Sequence, residues 1–377
     1  MGAKSLIVIV TYNSQDFIEN CLRSITGQSY KNWFLVVIDN NSSDSSAAKI
    51  REFRNMSPEI TGSNFKFITL KKNIGFSGAV NYAVFNFISG KKKSLEKELK
   101  FLILLNPDIY LKRYALQKLI SAFNITEGQS LPRGRIGAAG GLVLDYEKDT
   151  IQHLGGRVSP NFITSHIYYG KRYENSKGGY RDKEEVQNIG QKNVQKIRQE
   201  IKRGIGVKTY KPDPENAQNI MDIIKDVDYV TGAFFATEFE LFKSMGGFDT
   251  GYRPAYFEEL DYCLKIRRSG WRVVVTPESI ARHFEGASVE KFSRNFYRYY
   301  HKNRVRCAVI NMGFLNFLKK FLPSELSWLR NKATGDQIFP IFYAYLINFT
   351  FLSYNLIIKL KNYLILSKLK LRSFNLR

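Results

Sequence analysis

Ser5-Leu6-Ile7-Val8-Ile9-Val10, running straight into Thr11-Tyr12-Asn13-Ser14, carries the first sign of the fold. Five apolar, mostly β-branched residues bounded by turn formers fit a strand covered on both faces, as a parallel sheet requires. A secretory leader also has a short apolar run. Here, however, the run ends in Thr11-Tyr12-Asn13-Ser14, where a small-residue cleavage site would stand. Read as a buried strand, it leaves the body of the protein in the cytosol.

Working outward, the same order recurs. A helical stretch near 16–26 leads to Trp33-Phe34-Leu35-Val36-Val37-Ile38 and then to the polar Asp39-Asn40-Asn41-Ser42-Ser43-Asp44. A helix over about 46–55 precedes Phe65-Lys66-Phe67-Ile68-Thr69-Leu70 and Asn73-Ile74-Gly75-Phe76, and a third helix is expected over about 78–88. Phe101-Leu102-Ile103-Leu104-Leu105 then ends in Asn106-Pro107-Asp108. Strand, polar loop and helix alternate, which predicts an α/β fold with a mostly parallel sheet covered on both faces. Such sheets bind ligands at the carboxyl ends of their strands, so the polar loops should share one rim. Each loop alone also suits a turn with a helix N-cap. What favours a site is an acid or amide at every strand end, without G-x-G-x-x-G or G-x-x-x-x-G-K-[ST].

Composition limits the function classes. The 377 residues are roughly two to three times one ordinary domain, and 44% apolar content excludes a fully disordered chain. Cys21, Cys263 and Cys307 lie far apart with no C-x-x-C, which excludes a disulfide framework and a cysteine-built zinc site. The net charge of +23 calls for an anionic partner: nucleic acid, a phosphorylated substrate or a membrane face. Lys291 to Arg377 holds 16 Lys/Arg against two acids, while Lys171 to Lys225 holds 13 against eight. The body is therefore nearly balanced, and the charge sits in a polar insertion and a basic, aromatic-rich tail.

Chemistry follows from the rim. Asp39 can accept hydrogen bonds from a base or ribose, with Asn13 and Asn73 adding directional contacts. Asp108, after the most apolar strand, suits a divalent cation shared with phosphate oxygens, and hard oxygen ligands select Mg²⁺ or Mn²⁺. Further on, Asp228 to Ala236 reads as a strand with Gly232 marking a close approach. A helix beginning at Tyr256 carries Glu258, Glu259 and Asp261 in its first turn. These acids complement the macrodipole, or one is kept ionised there as a general base. His283 follows the strand Arg272 to Thr276 and a Pro277 turn; it is either a structural histidine or a second ligand to the cation at Asp108.

Taken in order, Thr11-Tyr12-Asn13, Asp39 to Asp44, Asn73-Ile74-Gly75-Phe76, Asn106-Pro107-Asp108, Gly246-Gly247-Phe248-Asp249, Phe257-Glu258-Glu259-Leu260-Asp261 and His283 resemble the family 2 glycosyltransferases, most of all their rhamnosyltransferase-like branch. The resemblance spans about 5–288, with the insertion as a gap. It implies a GT-A fold binding a nucleotide-sugar, UDP- or dTDP-linked, and a divalent cation, with inverting transfer of the sugar. By position, Thr11, Asn13 and Asp39 would hold base and ribose, with Tyr12, Asn41, Asn73 and Gly75 beside them. Asn106-Pro107-Asp108 stands where the family has D-x-D, so only Asp108 matches as metal ligand, with His283 as its partner. Gly232 and Ala233 would border sugar and acceptor. Glu259 takes the place of the family's catalytic Asp, Glu258 is its rival, and Asp261 is an acceptor or structural contact.

The expected organisation is a catalytic domain over 1–290, with a polar excursion or lid at 171–225, and a helical membrane-association region over 291–377. Residues 294–306 interleave basic and aromatic side chains. That suits nucleic-acid stacking, a solvated helix with a buried aromatic stripe, or, from the resemblance, a helix facing a lipid-linked diphosphate acceptor. Phe314, Phe317, Leu318, Phe321 and Leu322 recur at helical spacing beside Lys319 and Lys320, an interfacial pattern that Pro323 is expected to break. Residues 338–358 carry no charge and would measure about 31 Å as one helix. Pro340, Asn348 and Asn355 favour lying in the membrane interface over crossing it. The reading is an inverting transferase, with rhamnose a candidate sugar, acting on a lipid-linked glycan at the cytosolic membrane face. A basic nucleic-acid-binding protein and an inactive membrane scaffold are the rivals.

Overall fold

The computed structural model describes residues 4–124, 134–173, 224–284 and 293–374. The opening run is β1 (Lys4–Thr11), followed by α1 (Ile18–Thr26), β2 (Trp33–Asp39), α2 (Ser46–Met56), β3 (Phe65–Thr69), α3 (Gly75–Asn81) and β4 (Leu99–Leu105). Alternate side chains enter opposite apolar layers: Leu6, Val8 and Val10 join Phe34, Val36 and Ile38, while Ile7 and Ile9 join Leu35 and Val37. Leu22, Ile25, Ile50 and Phe53 from α1 and α2 cover the second layer, and Ala79 and Val80 from α3 cover the first. Each such aliphatic residue, fully buried, contributes about 1.5–3 kcal/mol. This double coverage is why the strands read as continuous apolar runs.

The chain continues through β5 (Ile109–Leu111), α4 (Ala115–Ser121), β6 (Ile136–Asp145), β7 (Ile151–His153), β8 (Gly156–Val158), β9 (Thr164–His166), β10 (Lys225–Asp226), β11 (Phe234–Glu238), α5 (Phe239–Ser244), α6 (Glu258–Arg268) and β12 (Arg272–His283). The main sheet runs β3-β2-β1-β4-β11-β6-β12-β10, with β5 added to β12 and β7 to β6. β3, β2, β1 and β4 are mutually parallel, β11 is antiparallel to β4 and β6, and β12 is parallel to β6. This is the mixed, mostly parallel α/β sheet the sequence predicts. Register places Thr11 beside Asp39 and Ile9 beside Leu105, so the loops after β1, β2 and β4 open on one rim.

Several boundaries differ from expectation. The third helix begins at Gly75, and 82–88 form a wider π turn. Only Phe234–Glu238 joins the ladder where a strand over 228–236 is expected, because the residues up to Ala233 swing onto the rim before β11 pairs with β4 from Phe234 opposite Leu105. Pro277 does not end a strand: a register shift between Thr276 and Ile280 absorbs it, and β12 runs on to His283. Nearly all of the polar insertion lies outside the described residues.

After the sheet come α7 (Arg294–Asn311), α8 (Leu322–Asn331), α9 (Gly335–Thr350) and α10 (Leu352–Phe374). Pro323 does not break the helix that leads into α8. The π turn at Phe317–Phe321 gives its ring room where an α turn would set it against a carbonyl. The uncharged run is not one rod. It bends by 72° between α9 and α10, and among the described residues no single helix is long and apolar enough to cross a membrane, though the bent pair passes by length and composition together.

Helix α7 is a brace, not a solvated helix. Arg304 makes a two-pronged buried pair with Glu325 at 2.7 and 2.6 Å and donates to the Asn161 carbonyl at 2.7 Å. Arg306 pairs with Asp249 at 2.7 Å and also reaches Asn355. Asn348 of α9 donates to the Lys302 carbonyl at 2.9 Å. Two cations of the basic-aromatic stretch are thus engaged inside the fold, which leaves them no part in binding nucleic acid.

Candidate active site

The first three rim loops are laced together. Thr11 and Asp39 end their strands side by side and are buried, and the Asp39 carboxylate accepts the Ser42 N–H at 3.3 and 3.4 Å. Thr11 Oγ1 has no hydrogen-bond partner among the described residues. Asn13, in the left-handed region at φ 51°, accepts the Ser43 N–H at 2.9 Å, and its own N–H donates to Ser42 Oγ at 3.0 Å. Tyr12 is exposed beside it. Asn41 is exposed as well, and it is the buried Asn40 that carries the structural work: it donates to Asn73 Oδ1 and accepts from the Ile74 N–H, each at 2.9 Å. Asn73 Oδ1 also accepts the Gly75 N–H at 2.9 Å. Gly75 has φ 77°, and a Cβ there would lie 3.3 Å from Arg253 Cγ, so a segment unmarked in the sequence covers this loop.

Across the rim, Asn106 and Asp108 meet His283, because β5 pairs with β12 and sets Ile109 opposite His283. Asp108 Oδ1 lies 3.2 Å from His283 Nε2, and Asn106 Nδ2 lies 3.2 Å from the same nitrogen. Asp108 is 7% exposed, and its Oδ1 makes no hydrogen bond among the described residues. A buried carboxylate oxygen without a donor, beside an imidazole nitrogen, is a donor set that fits a hard or borderline divalent cation. No group of three or more His, Cys, Asp or Glu suited to a metal occurs among the described residues. Two protein ligands are nevertheless the usual complement for a cation that takes its remaining oxygens from phosphates and water.

The acid pair enters from below. Gly232 N–H donates to Glu259 Oε1 at 3.2 Å, and a Cβ on Gly232 would touch both that oxygen and Phe76 at 3.6 Å. The Ala233 carbonyl accepts the Asn106 N–H at 3.1 Å. Glu259, Gly232, Ala233, the Asn106–Asp108 loop and the Gly75–Phe76 loop are therefore neighbours joined by direct contacts. Asp261 does not belong to it: fully buried, it pairs with Lys265 at 3.2 Å and accepts from Asn311 at 2.7 Å, tying α6 to α7.

Helix α6 starts from strained backbone. Tyr256 and Phe257 have φ of 80° and 77°, and large side chains in that region cost on the order of 1–3 kcal/mol each. Asn303 of α7 holds the turn by donating to the Tyr252, Ala255 and Tyr256 carbonyls at 2.6, 2.8 and 3.0 Å. The rings of Tyr256 and Phe257 pack on Phe296 and Tyr300. Burial pushes the Glu258 carboxyl well above the usual range, with repulsion from Glu259 adding to it, and burial also raises Glu259. Desolvation thus outweighs the helix dipole, which the sequence suggests would keep these acids ionised.

The family model for glycosyl transferase family 2 matches residues 6–133, the segment that builds the laced loops and the Asn106–Asp108 corner. Over that segment the chain is similar to the family 2 glycosyltransferases. Its sequence is 24% identical over 158 residues to the teichoic acid poly(glycerol phosphate) polymerase of Staphylococcus epidermidis, covering 42% of this chain and 20% of that protein. It is 33% identical over 85 residues to the UDP-Glc:alpha-D-GlcNAc-diphosphoundecaprenol beta-1,3-glucosyltransferase WfgD of Escherichia coli, covering 22% and 30%. The match thus spans at most 30% of the length of these two curated relatives. The solved structure of GalNAc-T7 with UDP, GalNAc and Mn²⁺ superposes with a TM-score of 0.51 at 15% identity, over 88% of this chain and 56% of that one. At that identity the likeness is one of fold, and it agrees with a GT-A-like glycosyltransferase sheet.

Proposed function

We propose that this protein is an inverting, cation-dependent glycosyltransferase that moves a sugar from a UDP- or dTDP-linked donor to a lipid-linked glycan. The observation that carries the reading is the chain of contacts that ties the Asp108–His283 pair and Glu259 to one loop, through Asn106–Ala233 and Gly232–Glu259. Asp39 and Thr11 suit the ribose and base, and the Asn40–Asn73 lacing holds the Gly75 loop beside them. Asp108 and His283 would hold Mg²⁺ or Mn²⁺, which supplies positive charge to the leaving diphosphate. Glu259 accepts the proton of the acceptor hydroxyl as its oxygen attacks the anomeric carbon from the face opposite the diphosphate. The old carbon–oxygen bond breaks, and its electron pair leaves with the nucleoside diphosphate. Similarity to an enzyme named for a diphosphoundecaprenol acceptor supports a lipid-linked acceptor, and likeness of motifs makes rhamnose the first sugar to test.

A membrane surface suits the tail. Phe314, Leu318, Leu322 and Leu326 on one helical stripe, and Phe339, Phe342, Leu346 and Phe349 on another, are exposed beside Lys319, Lys320, Lys361 and Lys368. That pairing fits the anionic, cytosolic leaflet. The test is nucleotide release from a panel of nucleotide-sugars, with Mg²⁺ or Mn²⁺ and lipid-linked acceptors. Release from no donor overturns the reading.

A further inference from the structure

Gln152 lies in β7, 5% exposed, and touches His283 at both ends of its amide. Its Nε2 donates to the His283 carbonyl at 2.9 Å, and its Oε1 lies 3.1 Å from His283 Nδ1. A carbonyl only accepts, so the first contact fixes which end of the amide is nitrogen. The oxygen must then face Nδ1, and Nδ1 must carry a proton to donate to it. In a neutral imidazole this leaves Nε2 as the lone-pair nitrogen, and Nε2 is the atom turned toward Asp108 Oδ1 at 3.2 Å and Asn106 Nδ2 at 3.2 Å. The Asn106 amide can donate to that lone pair, whereas Nε2 and the carboxylate oxygen of Asp108 are two acceptors that repel at this distance unless a positive charge joins them. The clasp is itself anchored, because His166 Nδ1 meets the Gln152 carbonyl at 2.9 Å.

We infer that Gln152 is a positioning residue for the cation site: it fixes the His283 tautomer and ring angle so that Nε2 presents its lone pair beside Asp108. This rests on the reading of Asp108 and His283 as cation ligands. Gln152 reaches them from a strand 131 residues away in sequence, and no sequence motif marks it. Partners that set the tautomer of a ligating histidine commonly change metal affinity 10–100-fold when lost.

The chain has four histidines, so selective ¹⁵N-histidine labelling makes the tautomer directly observable. Long-range ¹H–¹⁵N spectra at pH 8, where an ordinary imidazole is neutral, are recorded without metal, with the His283 signals assigned by their loss in His283→Asn. The expected wild-type signal is protonated Nδ1 with bare Nε2. Gln152→Glu, which still accepts from Nδ1, keeps it, and Gln152→Leu gives a tautomer mixture. Free-Mn²⁺ electron paramagnetic resonance in the presence of UDP should then report affinity about 10–100-fold weaker in Gln152→Leu, with Gln152→Glu close to wild type. Wild-type Nε2–H, or a Gln152→Leu variant with unchanged tautomer and unchanged Mn²⁺ affinity, overturns the inference. A tautomer as stated, with His283 lines that Mn²⁺ leaves unbroadened in the wild type, overturns instead the cation reading beneath it.

Discussion

Glu259 Oε1 accepts the backbone N–H of Gly232 at 3.2 Å, and through Ala233 that same loop is bonded to Asn106, two residues before Asp108. The acid that would take the proton and the acid that would hold the cation are thus positioned by one short backbone segment. The sequence separation of the two acids hides this connection.

Glu259→Gln should keep the Gly232 bond, since the amide oxygen still accepts, while removing the base. Loss of a general base typically costs ~10²–10⁴-fold. The expected result is a kcat fall in that range with donor KM nearly unchanged, measured by steady-state nucleotide release. Full activity in Glu259→Gln would place the base elsewhere, with Glu258 the first rival.

The pH dependence follows from burial. Glu259 is raised above the ordinary carboxylate value, so the base is ionised only above its raised pKa, and kcat should fall as pH drops through a midpoint above the ~4.3 of a free glutamate. Glu258 is raised further by desolvation and by Glu259. For a carboxyl with a raised folded pKa, ionisation is disfavoured in the fold. The destabilisation is absent below the unfolded pKa, grows between the two values and is complete above the folded one. Glu258→Gln should therefore raise the melting temperature at pH 8 and change it little near pH 4. Equal shifts at both pH values would contradict this.

The first half of the fold is legible because its strands are covered on both faces, and continuous apolar runs such as Ile7–Ile9 and Phe101–Leu105 are what a doubly covered strand demands. Thr11, Asp39 and Asp108 are legible because strand ends of a parallel sheet share a rim. The remaining site residues are set by long-range contacts that leave no periodic trace. Asn40 and Asn41 look alike in sequence, and only the backbone beyond β2 decides that the first turns inward to Asn73. Asp261 has the company of a catalytic acid and the surroundings of a structural one, because Lys265 and Asn311 close over it. Arg253 and Gln152 sit in segments without motif, and Asn303 is an amide inside a stretch marked only by its basic and aromatic residues. In the tail, hydropathy registers the uncharged length of 338–358 but not the bend that divides it.

Asn303 holds the left-handed turn ahead of the acid pair, so Asn303→Leu should let Tyr256 and Phe257 relax and shift Glu259. Small misplacements of a catalytic group can cost about 10²-fold. The expected signature is a kcat loss of that order with UDP affinity largely kept, because the loops proposed to hold the nucleotide have their own lacing through Asn13, Asn40 and Asn73. A parallel loss of UDP binding would show that the turn supports the whole fold and not the acid pair in particular.

The exposed stripes of the tail supply the last test. Phe314, Phe342 and Phe349 are each more than 70% exposed, and inserting a phenylalanine into an apolar phase gains about 1.5–3 kcal/mol. Nearby lysines add about 1 kcal/mol each at an anionic surface, a contribution that salt weakens. Wild-type protein should co-sediment with vesicles containing anionic lipid, less at high salt. The triple substitution Phe314→Asp, Phe342→Asp and Phe349→Asp should lower partitioning at least tenfold while preserving turnover of a short soluble acceptor, because none of the three is among the residues gathered around Glu259. Wild-type sedimentation by the triple variant would mean that these faces meet something other than lipid. Loss of soluble-acceptor activity would mean that they support the brace formed by α7.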